Sequence, residues 1–197
     1  MMDTIPPRVV LLKPGSLIRD EEGAIVDARS SVVLIFSGSK KILVDTGLVG
    51  EGGLIKERLA LQGLKPQDVD VVVNTHFHPD HCGNNHLFTS AQILSKEVLD
   101  NVKEGDHVSQ GVWILETPGH SPGSISVVCE SYLRIVIAGD ALPIFGNFLK
   151  WVPPVIHVDR ELALTSMSRI VQLADVIVPG HDRPFSVSDK KYIFYLD

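Results

Sequence analysis

The chain has 197 residues, 44% hydrophobic and 21% charged, enough apolar material for one sizeable core and too much for a disordered polymer. Its formal net charge of −6 argues against a broad nucleic-acid surface, though not against a local basic patch beside a pocket. Two cysteines, Cys82 and Cys129, make no disulfide framework, so a reducing, cytoplasmic setting is expected; no apolar run approaches the roughly 20 residues that span a bilayer, and the Met-Met-Asp-Thr-Ile-Pro-Pro start has no signal-peptide pattern.

The apolar runs are short and rich in Val and Ile. In chain order, strands are predicted over 9–12, 32–36, 42–44, 69–73, 93–94, 112–115, 125–128, 133–138 and 176–178, with a turn at 20–23 between two early strands. Helical spacing covers 53–62, ended by Gly63, and 160–174, with Asp159 as N-cap. A shorter helix is predicted to start at the Pro79–Asp80 step, since proline is tolerated in a first turn. Many strands with few helices suggest one α/β domain over 1–197, two sheets with helices outside in four layers.

Directly after the strand at 69–73 comes Asn74-Thr75-His76-Phe77-His78-Pro79-Asp80-His81, in which four potential metal ligands fall within six residues. A lone histidine there would read as a polar loop residue; four together, in a loop stiffened by proline, read as a metal site. Imidazole and carboxylate suit divalent ions, zinc first, with iron or manganese as alternatives. His120 in Pro118-Gly119-His120, Asp140 in Ala138-Gly139-Asp140 and His181 in Pro179-Gly180-His181 each follow a predicted strand, where a sheet can hold a loop residue in place. Five of the eight histidines occupy these places; His86, His107 and His157 have no such context.

The pattern His76-x-His78-x-Asp80-His81, then His120, Asp140 and His181, resembles the seven-ligand pattern of the metallo-β-lactamase superfamily, from Asp45-Thr46-Gly47 to Pro179-Gly180-His181. The compact length and the 174–181 stretch with Pro184-Phe185 resemble the subgroup of metallo-β-lactamase domain-containing protein 1. The resemblance implies an αββα sandwich of the metallo-β-lactamase type. It implies that His76, His78 and His120 hold one metal, that Asp80, His81 and His181 hold the other, and that Asp140 bridges them. Asp45 would orient a ligand, or else simply form the turn. The implied enzyme is a hydrolase whose dinuclear centre, with Asp80 and Asp140 as its catalytic carboxylates, directs hydroxide at a carbonyl or phosphoryl group. Its substrate would be small and anionic, a thioester, ester or lactone in preference, with a compact endoribonuclease or phosphodiesterase as the alternative. The chain is too short for the large inserted domain of the superfamily's RNA- and DNA-cleaving branch. It has no tyrosine shortly after Asp140, where acyl-homoserine lactonases carry one.

Other readings carry less. Gly119-His120-Ser121-Pro122-Gly123 matches a serine nucleophile elbow, with Asp140 and His181 following in order, but the elbow requires a helix next and residues 124–128 read as a strand. The glycines after Asp45 do not fit a dinucleotide fingerprint, because Ile55 takes the last position. A purely structural metal would favour a closed, sulfur-rich site. Cys82 reads as a packing residue rather than a reactive thiol. Finally, Phe145, Phe148 and Trp151 cluster in 142–154, where the prolines and Gly146 argue against a regular helix. Either these rings are buried in the core or a homodimer contact, or they wall the metal site with Lys150 facing an anionic substrate.

Overall fold

Strand β4 (Val32–Ser37) sets the plan of the molecule. Its side chains alternate between two faces, and both are buried: Val33 and Ile35 enter one apolar cluster, Val32 and Leu34 another. A strand with two buried faces needs a continuous apolar run, which is why these strands show no polar alternation. The computed structural model describes residues 5–193 and 196.

Two sheets stack face to face. The first has the order β1 (Arg8–Lys13), β4, β5 (Lys40–Val44), β6 (Val71–Val73) and β7 (Gln92–Leu94). The second has the order β14 (Lys191–Tyr192), β13 (Phe185–Ser186), β12 (Val176–Pro179), β11 (Arg134–Gly139), β10 (Ile125–Glu130), β9 (Val112–Glu116) and β8 (His107–Ser109). Between them lies a core of Val33, Ile35, Ile42, Val44, Val71 and Val73 against Ile114, Val127, Ile135, Ile137 and Val178. Helix α1 (Gly52–Leu61) covers the outside of the first sheet through Ile55 and Leu59, on Leu34, Leu43 and Val72. Helix α4 (Arg160–Leu173) contributes Ile170 to the outer face of the second, on Val128, Val136 and Ile177. These are the four αββα layers the sequence predicts. The Asp159 carboxylate accepts the Leu162 N–H as the N-cap of α4.

Strands β5 and β6 run parallel, as do β11 and β12, so their carboxyl ends meet at one edge of the sandwich. The loops that leave those ends carry the chemistry. A separate hairpin, β2 (Ser16–Arg19) and β3 (Ile25–Arg29), rises beside the same edge, with the predicted 20–23 turn at its tip. The short helix α2 (Pro79–Cys82) has Pro79 in its first turn, as predicted.

One expectation fails. Residues 145–150 form helix α3 (Phe145–Lys150). The prolines fall outside it, and Gly146 costs little so near an end. The Asn147 carboxamide donates to the Val152 and Pro153 carbonyls, and Trp151 closes the helix at φ 52°. Phe145 and Phe148 are buried on Phe185, with ring centroids 4.6 and 5.1 Å from it. They are core residues rather than pocket walls. Phe148→Ala is therefore expected to destabilise the protein by about 3–5 kcal/mol in denaturant titration, with KM unchanged in the enzyme that remains folded.

Candidate metal centre

Histidine ligation needs one ring nitrogen free and the other held, and the loops supply both conditions. Asn74 to His78 follow β6, and α2 then turns Asp80 and His81 back toward the sheet. His120 follows β9, Asp140 follows β11 and His181 follows β12. Gly180 permits the last approach, because a Cβ there would land on Asp140 Oδ1.

The seven predicted residues converge into two sets. His78 Nδ1 lies 3.1 Å from both His76 Nε2 and His120 Nε2. Asp140 Oδ2 lies 3.5 Å from His120 Nε2 and 4.0 Å from His76 Nε2, and 3.2 Å from His181 Nε2 of the second set. In the second set, Asp140 Oδ1 lies 3.3 Å from His81 Nε2 and 3.1 Å from His181 Nε2, and Asp80 Oδ2 is 3.4 Å from His181 Nε2. Four donors about 2.0–2.1 Å from a tetrahedral zinc stand roughly 3.3 Å from each other. Most separations in both sets match that spacing within a few tenths of an ångström; His76 Nε2 to Asp140 Oδ2 at 4.0 Å and His81 Nε2 to Asp80 Oδ2 at 3.8 Å are wider.

A second observation points to the same guest. His81 Nε2 and Asp140 Oδ1 are fully buried, and neither has a hydrogen-bond partner. Two such atoms would be costly unless something between them accepts both lone pairs. The donor set contains no sulfur, and the residues present fit divalent cations.

The outer nitrogens of His76, His81, His120 and His181 are held. His81 Nδ1 lies 2.7 Å from Asp45 Oδ2, and Asp45 also accepts the Thr75 N–H and hydroxyl, both at 2.8 Å. His76 Nδ1 is 3.2 Å from Thr75 Oγ1. His120 Nδ1 meets the Ile156 carbonyl at 2.8 Å, and His181 Nδ1 meets the Arg29 carbonyl at 3.0 Å. Asp45 was legible as the turn residue of Asp45-Thr46-Gly47; the two carbonyl partners were not, because backbone atoms leave no mark in a sequence. Nor was Glu97, whose Oε2 accepts the Phe77 N–H at 2.8 Å and so fixes the loop between His76 and His78.

The electrostatics separate the two sets. Burial, reinforced by the neighbouring His81, pushes His76 well below the usual histidine range, and burial lowers His120. Burial also opposes charge on His81 and His181, but Asp45 and Asp140 around the first, and Asp140 beside the second, outweigh it and raise both. Asp140 is drawn well below the carboxylate range because His181 and His81 overcome its burial. The second set therefore demands positive charge, and a proton on Nε2 and a metal ion compete for the same lone pair.

Above the two sets opens a cavity of about 320 Å³. Its floor holds His78, Asp80, His120, Asp140 and His181. One wall is the β2–β3 hairpin, the other the segment from Pro143 to Ile156. The 142–154 stretch does wall the site, as one of the two sequence readings has it, but with Ile144, Val152 and Pro153 rather than with aromatic rings.

The remaining candidates fall away from the centre. Ser121 is buried and its hydroxyl pairs with Ser124 at 2.8 Å, and β10 rather than a helix follows it, so it forms no nucleophile elbow. His86, His107 and His157 are exposed. Cys82 hydrogen-bonds the His78 carbonyl at 3.3 Å, and its thiol is pushed up by burial, which fits packing rather than reactivity. Cys129 belongs to the core between the sheets. No helix among the described residues is long and apolar enough to cross a membrane.

The model of the metallo-beta-lactamase superfamily matches residues 25–98 and 91–181. The chain belongs to the metallo-beta-lactamase superfamily. Among its relatives, a probable metallo-hydrolase of Methanocaldococcus jannaschii is 40% identical over 179 residues, covering 88% of this chain and 86% of that one. Metallo-beta-lactamase domain-containing protein 1 of Mus musculus is 37% identical over 197 residues, covering 91% and 75%. A crystal structure of a Bacillus thuringiensis protein with N-decanoyl-L-homoserine bound at its active site superposes with a TM-score of 0.71 at 25% identity, covering 92% of this chain and 94% of that one. The crystal structure of a probable metal-dependent hydrolase from Staphylococcus aureus superposes with a TM-score of 0.75 at 18% identity, covering 100% of this chain and 99% of that one, and speaks for the fold alone.

Proposed function

We propose that this metal-dependent hydrolase of the metallo-beta-lactamase superfamily cleaves small, anionic thioesters, esters or lactones, using two divalent ions held by seven side chains. The observation that carries the reading is Asp140, whose carboxylate stands between two ligand sets at the floor of one cavity, 3.5 Å from His120 Nε2 on one side and 3.1 Å from His181 Nε2 on the other. In this reading His76, His78, His120 and Asp140 hold the first ion, and Asp80, His81, His181 and Asp140 the second. Zinc suits the donors best, ahead of iron and manganese. When bound, such a pair supplies Lewis acidity and a water of lowered pKa.

The protein's own residues do the rest. The Asp80 side chain is 17% exposed and that of Asp140 is 10% exposed, so of the two floor carboxylates Asp80 is the more open to the cavity. It accepts a hydrogen bond from the attacking water and aims it at the carbonyl. Asp140 fixes the separation of the two ligand sets. The aliphatic walls keep bulk water from the scissile bond. Two carboxylates against two divalent ions leave the floor positive, which favours an anionic substrate on an acidic protein. A cavity near the lower end of the usual ligand range, roughly 300–1,000 Å³, suits a small molecule better than a polymer. The Bacillus cereus N-acyl homoserine lactonase, 31% identical over 61% of this chain, supports carbonyl chemistry in the same fold.

The test pairs elemental analysis with a substrate panel. About two metal equivalents per chain are expected, with activity on at least one carbonyl substrate. A chelator should abolish that activity and Ser121→Ala should leave most of it in place. The reverse pattern would restore the serine reading, and cleavage of phosphodiesters or RNA alone would replace the carbonyl assignment.

A further inference from the structure

We propose that the cavity receives a substrate carrying a second, anionic group about 10 Å or more from its scissile carbonyl, bound by Arg19 with Lys150 from the facing wall; this rests on the hydrolase reading above. The hairpin supplies the ruler. Its base lies at the metal centre, because the Arg29 carbonyl meets His181 Nδ1 at 3.0 Å. Ser16 pairs with Arg29 at that level, Leu17 with Ala28 one step out, and Arg19 with Ile25 toward the tip. At about 3.3 Å per strand residue, the Arg19 backbone stands three residues, about 10 Å, beyond the ligand level, and its guanidinium reaches on to the Gly23 carbonyl at the tip.

Chemistry changes along that distance. Leu17, Ala28 and Ile25 line the cavity from the hairpin, and Ile144, Val152 and Val155 line it from the other side. The middle of the slot is therefore aliphatic and suited to a hydrocarbon arm. Apart from the histidines and the two carboxylates on the floor, the only ionisable groups in the lining are Arg19 and Lys150. Neither has a carboxylate partner among the described residues. Arg19 Nη1 donates to the Gly23 carbonyl at 2.7 Å, which anchors the guanidinium at the tip and leaves its other nitrogens for a ligand. The nearby cations are already committed. Arg29 pairs with Asp27 at 2.9 Å and Glu51 at 3.5 Å, and buried Lys13 pairs with Glu51 at 3.2 Å. Two unpaired cations above an apolar slot, on a protein of net charge −6, mark an anion subsite.

The test uses the metal-loaded full chain and N-acetylcysteamine thioesters of alkanedioic acids from butanedioate to dodecanedioate, each with a free or a methylated distal carboxyl. The free acids are expected to exceed their methyl esters in kcat/KM by about tenfold, with an optimum at intermediate length. Arg19→Gln should raise KM for the best free acid about tenfold more than for its methyl ester, and Lys150→Gln should act in the same direction. Calorimetry gives a readout without turnover: octanedioate should bind more tightly than its monomethyl ester, and Arg19→Gln should remove the difference. Equal use of free and methylated substrates at every length, or equal loss of both in Arg19→Gln, overturns the anion subsite. If no carbonyl compound is cleaved, the hydrolase reading fails and calorimetry alone decides the subsite. A retained preference for the diacid then upholds it, and equal binding rejects it.

Discussion

Replacing Asp140 by alanine is expected to leave at most about one metal equivalent per chain and to lower kcat/KM by on the order of 10³-fold or more. The expectation follows from position rather than from charge alone. The Asp140 carboxylate stands between the His76–His78–His120 set and the Asp80–His81–His181 set, 3.5 Å from His120 Nε2 and 3.1 Å from His181 Nε2, so a single truncation takes a carboxylate away from both. At about 1.36 kcal/mol per decade, a 10³-fold loss is about 4 kcal/mol, within the several kcal/mol that a metal supplies as a Lewis acid. His181→Ala should cost nearly as much, and the double variant little more than either single one, because both changes act through one centre. Elemental analysis and steady-state kinetics on the three variants check this. Costs that simply add would mean that the two residues serve separate sites.

The site was legible in the sequence to a degree that its surroundings were not. His76, His78, Asp80 and His81 are close in sequence, and His120, Asp140 and His181 each sit where an apolar run stops, so donor chemistry and strand ends coincide. The long strands were legible for the same reason: β4 and β11 are apolar on both faces because both faces are covered. What the sequence hides is whatever depends on partners far along the chain. Phe145 and Phe148 turn inward because Phe185, some forty residues later, lies beneath them. Strands β8, β13 and β14 have two or three residues each, too few for any period to register. The β2–β3 hairpin alternates imperfectly: Leu17 and Ile25 face the cavity while Ile18 and Val26, 54% and 61% exposed, face solvent. Apolar residues on both faces with only one covered give no clean pattern.

Asp45→Asn should be almost as damaging to the second ligand set as Asp45→Ala, although asparagine has nearly the same shape. Asp45 is buried and sits at φ 58°, a conformation that Asp and Asn tolerate better than most residues, so the asparagine backbone should fit. The difference lies in the donors around it. The Thr75 N–H reaches Asp45 Oδ1, while the Thr75 hydroxyl and His81 Nδ1 both reach Oδ2. A carboxylate accepts all three; a carboxamide must turn its NH₂ toward one of them. If it faces His81, Nδ1 must become the acceptor, and the proton moves to Nε2, the nitrogen that would hold the metal. If it faces Thr75, the buried Thr75 N–H loses its acceptor, at about 1–3 kcal/mol. Metal affinity at the second set is therefore expected to fall about 10–100-fold in Asp45→Asn, the usual cost of losing a partner behind a ligand. Asp45→Ala should lose as much and unfold at a lower temperature besides. Chelator-competition titration with thermal unfolding of the metal-free proteins separates the two effects. Wild-type metal affinity in Asp45→Asn would show that Asp45 only shapes the turn.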